Sequence, residues 1–255
     1  SATLNVSAAQ DGAPARAQSR LARLGPFLAL AAVFLIAYSP IFSAGYIWDD
    51  DDYVTENLVL RSPTGWLDVW KPKTTPQYYP LVFTTFWIEY RLWELHPLGY
   101  HIVNLALHGG SALLFFLVLT RLSVPGAVIA AVLFLVHPVM VESVAWITER
   151  KNVLSLFFYL LAFQQWLRVE NEQMVRIGRY CAVLLLFACA LLSKTVTCSL
   201  PAAILLVEWW RHGRLRGRTV LLTLPMFALG LALAAVTVII ERDHVGAGAL
   251  EFGLS

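Results

Sequence analysis

Charged residues are scarce in this chain. They make up 14% of its 255 residues, whereas soluble domains carry about 25%. The hydrophobic share is 58% and the mean hydropathy is +0.64, well above the roughly 45–50% apolar content of soluble domains. This composition excludes an ordinary soluble domain and predicts an integral membrane protein that contacts membrane lipid.

Cysteine is also rare, and the net charge is small. The three cysteines, Cys181, Cys189 and Cys198, lie in apolar stretches without metal-ligand spacing. This pattern excludes a disulfide framework and predicts small core residues. A net charge of +2 gives no reason to expect a nucleic-acid partner, so only the distribution of charge along the chain is informative.

Long apolar runs alternate with short basic loops. Residues 1–24 predict a disordered cytoplasmic tail, and 25–45 are long enough to span a membrane, although they also fit a cleavable signal peptide. Arginine-rich loops between alternate runs predict a cytoplasmic N-terminus and about seven spans. The later spans are predicted at 98–120, 126–147, 151–167, 180–193, 195–210 and 219–240. The fourth and fifth of these also fit one re-entrant hairpin.

The predicted first outer loop, residues 46–97, carries four consecutive aspartates after Trp48. Adjacent carboxylates repel one another, so four in a row favour a site that uses a carboxylate as a base or metal ligand. A solvated acidic loop stays an alternative. Asp49 and Asp50 are candidates for a catalytic base, and Asp50 and Asp51 for ligands of a divalent cation. Aromatic and charged residues at 81–95 predict a helix lying in the membrane interface.

Three polar residues lie on one face of the predicted span 98–120. His101, Asn104 and His108 follow the i, i+3, i+7 spacing of one helical face. They fit either the lining of a substrate cavity or interhelical hydrogen bonds, and the two histidines alone could ligate a metal.

Polar residues also gather near the predicted outer ends of the spans. Glu142, Trp146 and Arg150 are spaced by four and so predict one shared face, which fits an ion pair closing a turn or part of a site. Lys151 and Lys194 fall on the same predicted side as the aspartates. Cations at membrane level suit a phosphate, which arginine binds with two hydrogen bonds.

The order of these motifs resembles a known family. The series is Trp48-Asp49-Asp50, Tyr79-Pro80-Leu81, Tyr100-His101, His137-Pro138-Val139, Glu142-Ser143-Val144-Ala145-Trp146, Thr148-Glu149-Arg150-Lys151 and Ser193-Lys194. From about residue 45 to its end, the chain resembles bacterial relatives of the transmembrane and tetratricopeptide-repeat-containing protein O-mannosyltransferases, of the GT-C glycosyltransferase class.

The resemblance implies an all-α, multispanning GT-C-like bundle in the bacterial cytoplasmic membrane. It implies transfer of a sugar, by extrapolation mannose, from a polyprenyl-phosphate carrier to a hydroxyl of a protein acceptor on the outer face. Family members continue with further spans and a tetratricopeptide-repeat domain, so we expect 25–255 to be the N-terminal part of such a protein.

Site residues follow from the motifs. Asp49 and Asp50 are expected in catalysis, and Arg150, Lys151 and Lys194 at the donor phosphate. The expected cavity lining is Tyr79, His101, Asn104, His108, His137 and Glu142. Two alternatives come from other classes of protein: a lipid or solute transporter, which predicts broken helices, and a non-catalytic membrane anchor for a repeat domain.

Overall fold

The structure is a computed structural model that describes residues 30–244 except Asn171 and Gln173, with side chains described as far as Ile240. Within these residues every regular element is a helix. The predicted tail 1–24 and residues 25–29 lie outside the described residues. The chain divides into two compact units, Ser1–Pro40 and Ile41–Ser255. In the first unit, residues 30–37 form a helix, α1.

Ten further α-helices follow among the described residues. Their bounds are α2 Leu58–Arg61, α3 Gly65–Asp68, α4 Pro80–Trp93, α5 Pro97–Arg121, α6 Ala127–Val136, α7 Met140–Ala145, α8 Arg150–Glu170, α9 Ile177–Ser193, α10 Leu200–His212 and α11 Gly217–His244. Short 3-10 helices occupy Ser39–Ser43 and Thr195–Ser199, and a π-helix covers Asp51–Thr55.

Two described helices are long and apolar enough to cross a membrane: α5, and α11 over Gly217–Ile240. They coincide with the predicted spans 98–120 and 219–240. The helices α6 and α9 are apolar but shorter. The fold is therefore all-helical and of membrane type, while the predicted count of seven spans is not confirmed.

The predicted continuous helix at 126–147 is wrong. It is two helices, α6 and α7, because Pro138 has no N–H to donate and favours an extended residue before it. His137 is extended, with φ −67° and ψ 130°. A second extended residue, Trp146, ends α7. The shared face predicted for Glu142, Trp146 and Arg150 is therefore also wrong, because the three residues do not lie on one helix.

Pro201 does not break a helix. It lies in the first turn of α10, where a missing N–H leaves no hydrogen bond unmade. The segment predicted as one span at 195–210 begins instead as the 3-10 helix Thr195–Ser199. Among the described proline sites, the clear interruption is the one between α6 and α7.

Residues 46–97 form a folded cap rather than an open loop. Their apolar side chains pack with α5 and α8 in one buried cluster that includes Tyr53, Leu60, Phe83, Phe86 and Tyr100. A second cluster joins α8, α9, α10 and α11. Because Ile147, in the turn before α8, belongs to the first cluster together with Tyr53 and Val54, this turn packs against the segment that follows the acidic run.

The helix predicted at the membrane interface is present as α4, although its location at an interface stays a prediction. Its buried face holds Val82, Phe83, Phe86 and Glu89, and its other face exposes Ile88 and Leu92. The burial of Glu89 departs from the amphipathic pattern expected from the sequence, since a charged residue of an interfacial helix should face water.

Candidate functional site

Asp50 ties the acidic run to the turn between α7 and α8. Its carboxylate is fully buried, and Oδ1 accepts hydrogen bonds from the backbone N–H of Thr148 at 2.8 Å and from its hydroxyl at 2.6 Å. Oδ2 accepts from the N–H of Ile47 at 3.0 Å. Three donors thus engage a carboxylate that water does not reach. Asp50 therefore positions the loop, and a catalytic role for it stays a prediction.

Asp49 has the opposite environment, because it is exposed at the start of the same turn. Trp48 before it adopts a left-handed conformation, with φ 49°, which is uncommon for a residue other than glycine. The Trp48 ring meets the Trp146 ring edge to face, with 5.0 Å between centroids. Trp48 and Asp50 together hold Asp49 beside the α7–α8 turn, with its carboxylate open to solvent.

The other two aspartates are also exposed. Asp51 accepts a hydrogen bond from the Thr55 hydroxyl at 2.7 Å within the π-helix. No group of three or more metal-ligating side chains occurs among the residues that the structure describes. At the predicted metal site, Asp50 already accepts three hydrogen bonds from N–H and O–H donors, and a divalent cation at Asp50 and Asp51 stays a prediction.

Arg150 is the centre of a buried polar network. Its side chain is fully buried, and the guanidinium lies 5.1 Å over the Phe86 ring. Each of its five N–H groups reaches an acceptor: the Asn104 amide oxygen, the Thr85 hydroxyl at 3.2 Å, both carboxylate oxygens of Glu89, and the Tyr100 carbonyl at 2.9 Å. Phosphate binding by Arg150 stays a prediction, whereas its contacts join α4, α5 and α8.

Asn104 and His108 act as hydrogen-bonding links between helices. Asn104 donates to the Trp146 carbonyl at 3.1 Å, and His108 Nε2 lies 2.9 Å from the Leu135 carbonyl at the end of α6. Both residues are buried. These contacts support the packing interpretation of the polar face of α5.

His101 differs from them. Only 1% of it is exposed, and neither ring nitrogen makes a hydrogen bond of good geometry among the described residues. The backbone of Gly45 and Ala145 lies close to the ring. Its contacts with these backbone groups are therefore less well aligned than the hydrogen bonds of Asn104 and His108.

This difference gives a stability prediction. His108→Leu should lower the unfolding free energy by about 0.6–2 kcal/mol, because it leaves the Leu135 carbonyl without its partner. His101→Leu should lower stability less or not at all, since no hydrogen bond of good geometry is lost. Melting temperatures of the wild type and both variants, measured in the same detergent, would show which histidine stabilises the fold. A larger loss in His101→Leu than in His108→Leu would contradict the assignment.

Lys194 heads a second polar cluster beside the same turn. Its ammonium group donates to Asn152 Oδ1 at 2.5 Å, and the Asn152 amide donates to Glu149 and to the Ser143 hydroxyl at 3.0 Å. Glu149 pairs with Lys151 at 2.9 Å. Burial lowers the pKa of Lys194, and nearby Glu149 opposes that effect. The Lys151 ammonium lies 5.6 Å from the centroid of the Tyr53 ring.

Lys194 also lines a cavity of about 280 Å³ between α8 and the Thr195–Ser199 segment. The polar part of its wall comes from an amide, four hydroxyls and the ammonium group: Asn152, Ser155, Tyr159, Thr197, Ser199 and Lys194. The volume is close to the lower end of ligand pockets, which is about 300 Å³. Hydroxyls and a cation suit a phosphorylated sugar.

Other expected cavity residues lie apart from this cluster. His137, between α6 and α7, and Glu142, in the first turn of α7, are both exposed, and His137 Nδ1 accepts the Val139 N–H at 3.2 Å. Tyr79 is buried in the cap. The structure therefore gathers Asp49, Lys151 and Lys194 around the α7–α8 turn, and does not place His137 or Glu142 on the cavity wall.

Sequence reasoning missed three residues. Thr148 and Asn152 flank the Glu149–Lys151 motif, and their short polar side chains gave no sign of long-range contacts. Glu89 had a usable signal, because a lone carboxylate in an aromatic-rich helix needs a buried cation or a surface position. Its partner, Arg150, is 61 residues away in the sequence.

The chain is similar to curated protein O-mannosyl-transferases. It is 28% identical to human TMTC4 over 178 residues, which are 58% of this chain and 24% of that protein. It is 30% identical to human TMTC3 over 153 residues, 56% of this chain and 17% of the relative. A Caenorhabditis elegans protein O-mannosyl-transferase is 29% identical over 219 residues, 80% of this chain and 31% of the relative.

No family model and no solved structure matches the chain. The chain spans less than a third of the length of these three relatives. Their names agree with the family suggested by the motif series, while a bacterial origin stays a prediction. The chain is therefore similar, over part of their length, to proteins named as protein O-mannosyl-transferases.

Proposed function

We propose that the chain forms part of a membrane glycosyltransferase that moves mannose from a polyprenyl phosphate to a hydroxyl of a protein acceptor, on the outer face of the membrane. One observation carries the proposal. The exposed Asp49 precedes Asp50, which is hydrogen-bonded to the turn before α8, and the two cations Lys151 and Lys194 contact Glu149 and Asn152 at the start of the same helix. The similarity to proteins named as O-mannosyl-transferases supports the sugar and the type of acceptor.

Asp49 is the group in this cluster suited to act as general base. In the proposed step it takes the proton of the acceptor hydroxyl while that oxygen forms a bond to the anomeric carbon of the sugar. The bond between the anomeric carbon and the phosphate oxygen breaks, and its electron pair stays on the phosphate. General-base catalysis of this kind contributes about 10²–10⁴-fold to the rate. Attack opposite the phosphate inverts the anomeric centre.

Lys194 is suited to hold the leaving phosphate. Its ammonium group is fixed by Asn152 at the wall of the cavity, and a positioned cation stabilises charge that develops on a leaving group. Lys151 adds positive charge nearby, although Glu149 balances part of it. The cavity hydroxyls offer hydrogen bonds to the sugar, and the lipid tail of the donor stays in the bilayer.

The donor site gives a binding prediction. Lys194→Gln should weaken the affinity for a polyprenyl-phosphate mannose by about 10–150-fold, because a charge-assisted hydrogen bond contributes about 1.5–3 kcal/mol. Titration of the detergent-solubilised full-length protein measures this affinity. Lys71→Gln, in the cap and paired with Asp68, is the matched control and should bind normally. Equal affinities in wild type and Lys194→Gln would remove Lys194 from the donor site.

Mannosyl transfer itself tests the proposal as a whole. The full-length protein in proteoliposomes, given a polyprenyl-phosphate mannose and a Ser- or Thr-containing acceptor, should add a hexose to the acceptor, as seen by mass spectrometry. Movement of the lipid across the bilayer without transfer would instead identify a flippase, the function that the interrupted α6–α7 helix favours. If neither transfer nor lipid movement is detected, the chain acts as a non-catalytic membrane anchor.

A further inference from the structure

The end of the bundle that carries the α8–α9 and α10–α11 connections is strongly basic. Segments 168–179 and 208–218 contain seven arginines and three glutamates, an excess of four positive charges. Glu170 joins the two segments, since its carboxylate binds Arg211 at 3.1 Å and Arg216 at 2.7 Å. Arg218 also donates to the Glu172 carbonyl at 2.7 Å. We call these two segments together the basic end.

Buried carboxylates hold some of these cations in place. The side chains of Glu170 and Glu208 are 6% and 2% exposed, and Arg216 binds both. The positive excess therefore lies on the exposed arginines, which include Arg176 and Arg214 and which we call the outer arginines. Arg176 is 72% exposed and lies 3.8 Å from Glu172, and Arg214 is exposed with no ion pair within the described part of the chain.

Large apolar side chains are exposed beside these outer arginines. Trp209 and Trp210 are 57% and 60% exposed, and Met174 and Ile177 are 83% and 79% exposed. Exposed tryptophans next to arginines are typical of the level of lipid headgroups, where the ring contacts acyl chains and the cation contacts phosphate. If this surface faced only water, four large apolar side chains would be solvated, which is unfavourable.

We propose that the basic end binds anionic phospholipid headgroups. Outer arginines meet the lipid phosphates, Trp209 and Trp210 insert at the headgroup boundary, and Glu170 fixes the spacing of the two segments. Basic segments that adjoin membrane helices are attracted to anionic leaflets in this way. The inference does not depend on the proposed transferase activity, since the basic end lies at the opposite end of α8 from Asp49 and Lys194.

The test uses the full chain purified in a neutral detergent and titrated with short-chain phosphatidylglycerol, with the melting temperature as the readout. Phosphatidylglycerol should raise the melting temperature, and phosphatidylcholine should not. Arg176→Gln combined with Arg214→Gln should raise the phosphatidylglycerol concentration at the midpoint about 25-fold, taking roughly fivefold per arginine. Lys71→Gln combined with Lys73→Gln, which removes two cations from the cap, should leave the midpoint unchanged.

Three results would overturn the proposal. One is an equal stabilisation by phosphatidylcholine, which would show that charge is not recognised. Another is an equal midpoint shift in the two double variants, which would mean that only net charge matters. The third is stabilisation by inorganic phosphate at the same concentrations and with the same sensitivity to the arginine variants, which would indicate a site for soluble anions.

Discussion

Asp49→Asn is expected to lower the rate of mannosyl transfer by about 10²–10⁴-fold and to leave the melting temperature unchanged. The substitution keeps the shape of the side chain and removes the base, and general-base catalysis contributes a factor of this size. Stability should not change because Asp49 is exposed at the surface of the turn. The rate is measured on the full-length protein with a polyprenyl-phosphate mannose and an acceptor peptide.

Asp50→Asn is the informative comparison, since the two aspartates are adjacent but differ in burial. In the wild type both carboxylate oxygens of Asp50 accept hydrogen bonds. The substitution replaces one of these oxygens with an NH₂ group, which faces a donor, so the unfolding free energy should fall by about 1–3 kcal/mol. Transfer by the remaining folded protein should fall less than in Asp49→Asn. Asp52→Asn, which changes a second exposed aspartate, should have little effect on either measurement.

Two outcomes would contradict this division of roles. If Asp50→Asn loses activity as severely as expected for Asp49→Asn and keeps its stability, the buried aspartate is the base. If Asp49→Asn, Asp50→Asn and Asp52→Asn all show small and equal losses, the acidic run is a solvated surface without a catalytic member.

The second large effect is expected at Arg150. Arg150→Met should lower the unfolding free energy by about 3–5 kcal/mol, the usual loss when one partner of a buried ion pair is removed. The reason is that Glu89, with 5% of its side chain exposed, would keep a buried charge without its cation, and Asn104 would lose a donor. Chemical denaturation in detergent, followed by tryptophan fluorescence, measures the change.

The loss should depend on pH in a defined direction. Burial raises the pKa of Glu89 above its ordinary value of 4.5, and Arg150 opposes that rise in the wild type. Without Arg150 the folded-state pKa rises further, so the folded variant holds a proton that the unfolded chain releases above about pH 4.5. The wild type follows the same course with a lower folded-state pKa for Glu89. The loss in Arg150→Met should therefore be smallest at low pH and grow as pH rises from the folded-state pKa of the wild type to that of the variant.

A double variant separates charge burial from packing. Glu89→Leu combined with Arg150→Met replaces the pair with apolar side chains and should recover much of the stability lost by Arg150→Met, as buried ion pairs often do when both members are replaced. A mild Arg150→Met effect, together with a loss of donor affinity, would instead return Arg150 to the phosphate site expected from the sequence.

The sequence by itself determined the all-helical, membrane-type composition and the position of two long apolar helices. Mean hydropathy and the length of an apolar run are local properties, so they could be read without knowing any contact. The motif series also led to the protein O-mannosyl-transferases, with which the similarity to named relatives agrees. The span predicted at 126–147 failed locally, because its apolar residues were read as one helix although Pro138 interrupts it.

Only the tertiary structure decided what each polar residue contacts. Asp49 and Asp50 are neighbours with the same side chain, yet one is exposed and the other is bonded to Thr148, 98 residues away. In the same way Arg150, expected at a phosphate, is enclosed by Glu89 and Asn104 from two other helices. Burial and hydrogen bonding depend on which distant segments fold against a residue, and a side chain's own position in the sequence carries no record of them.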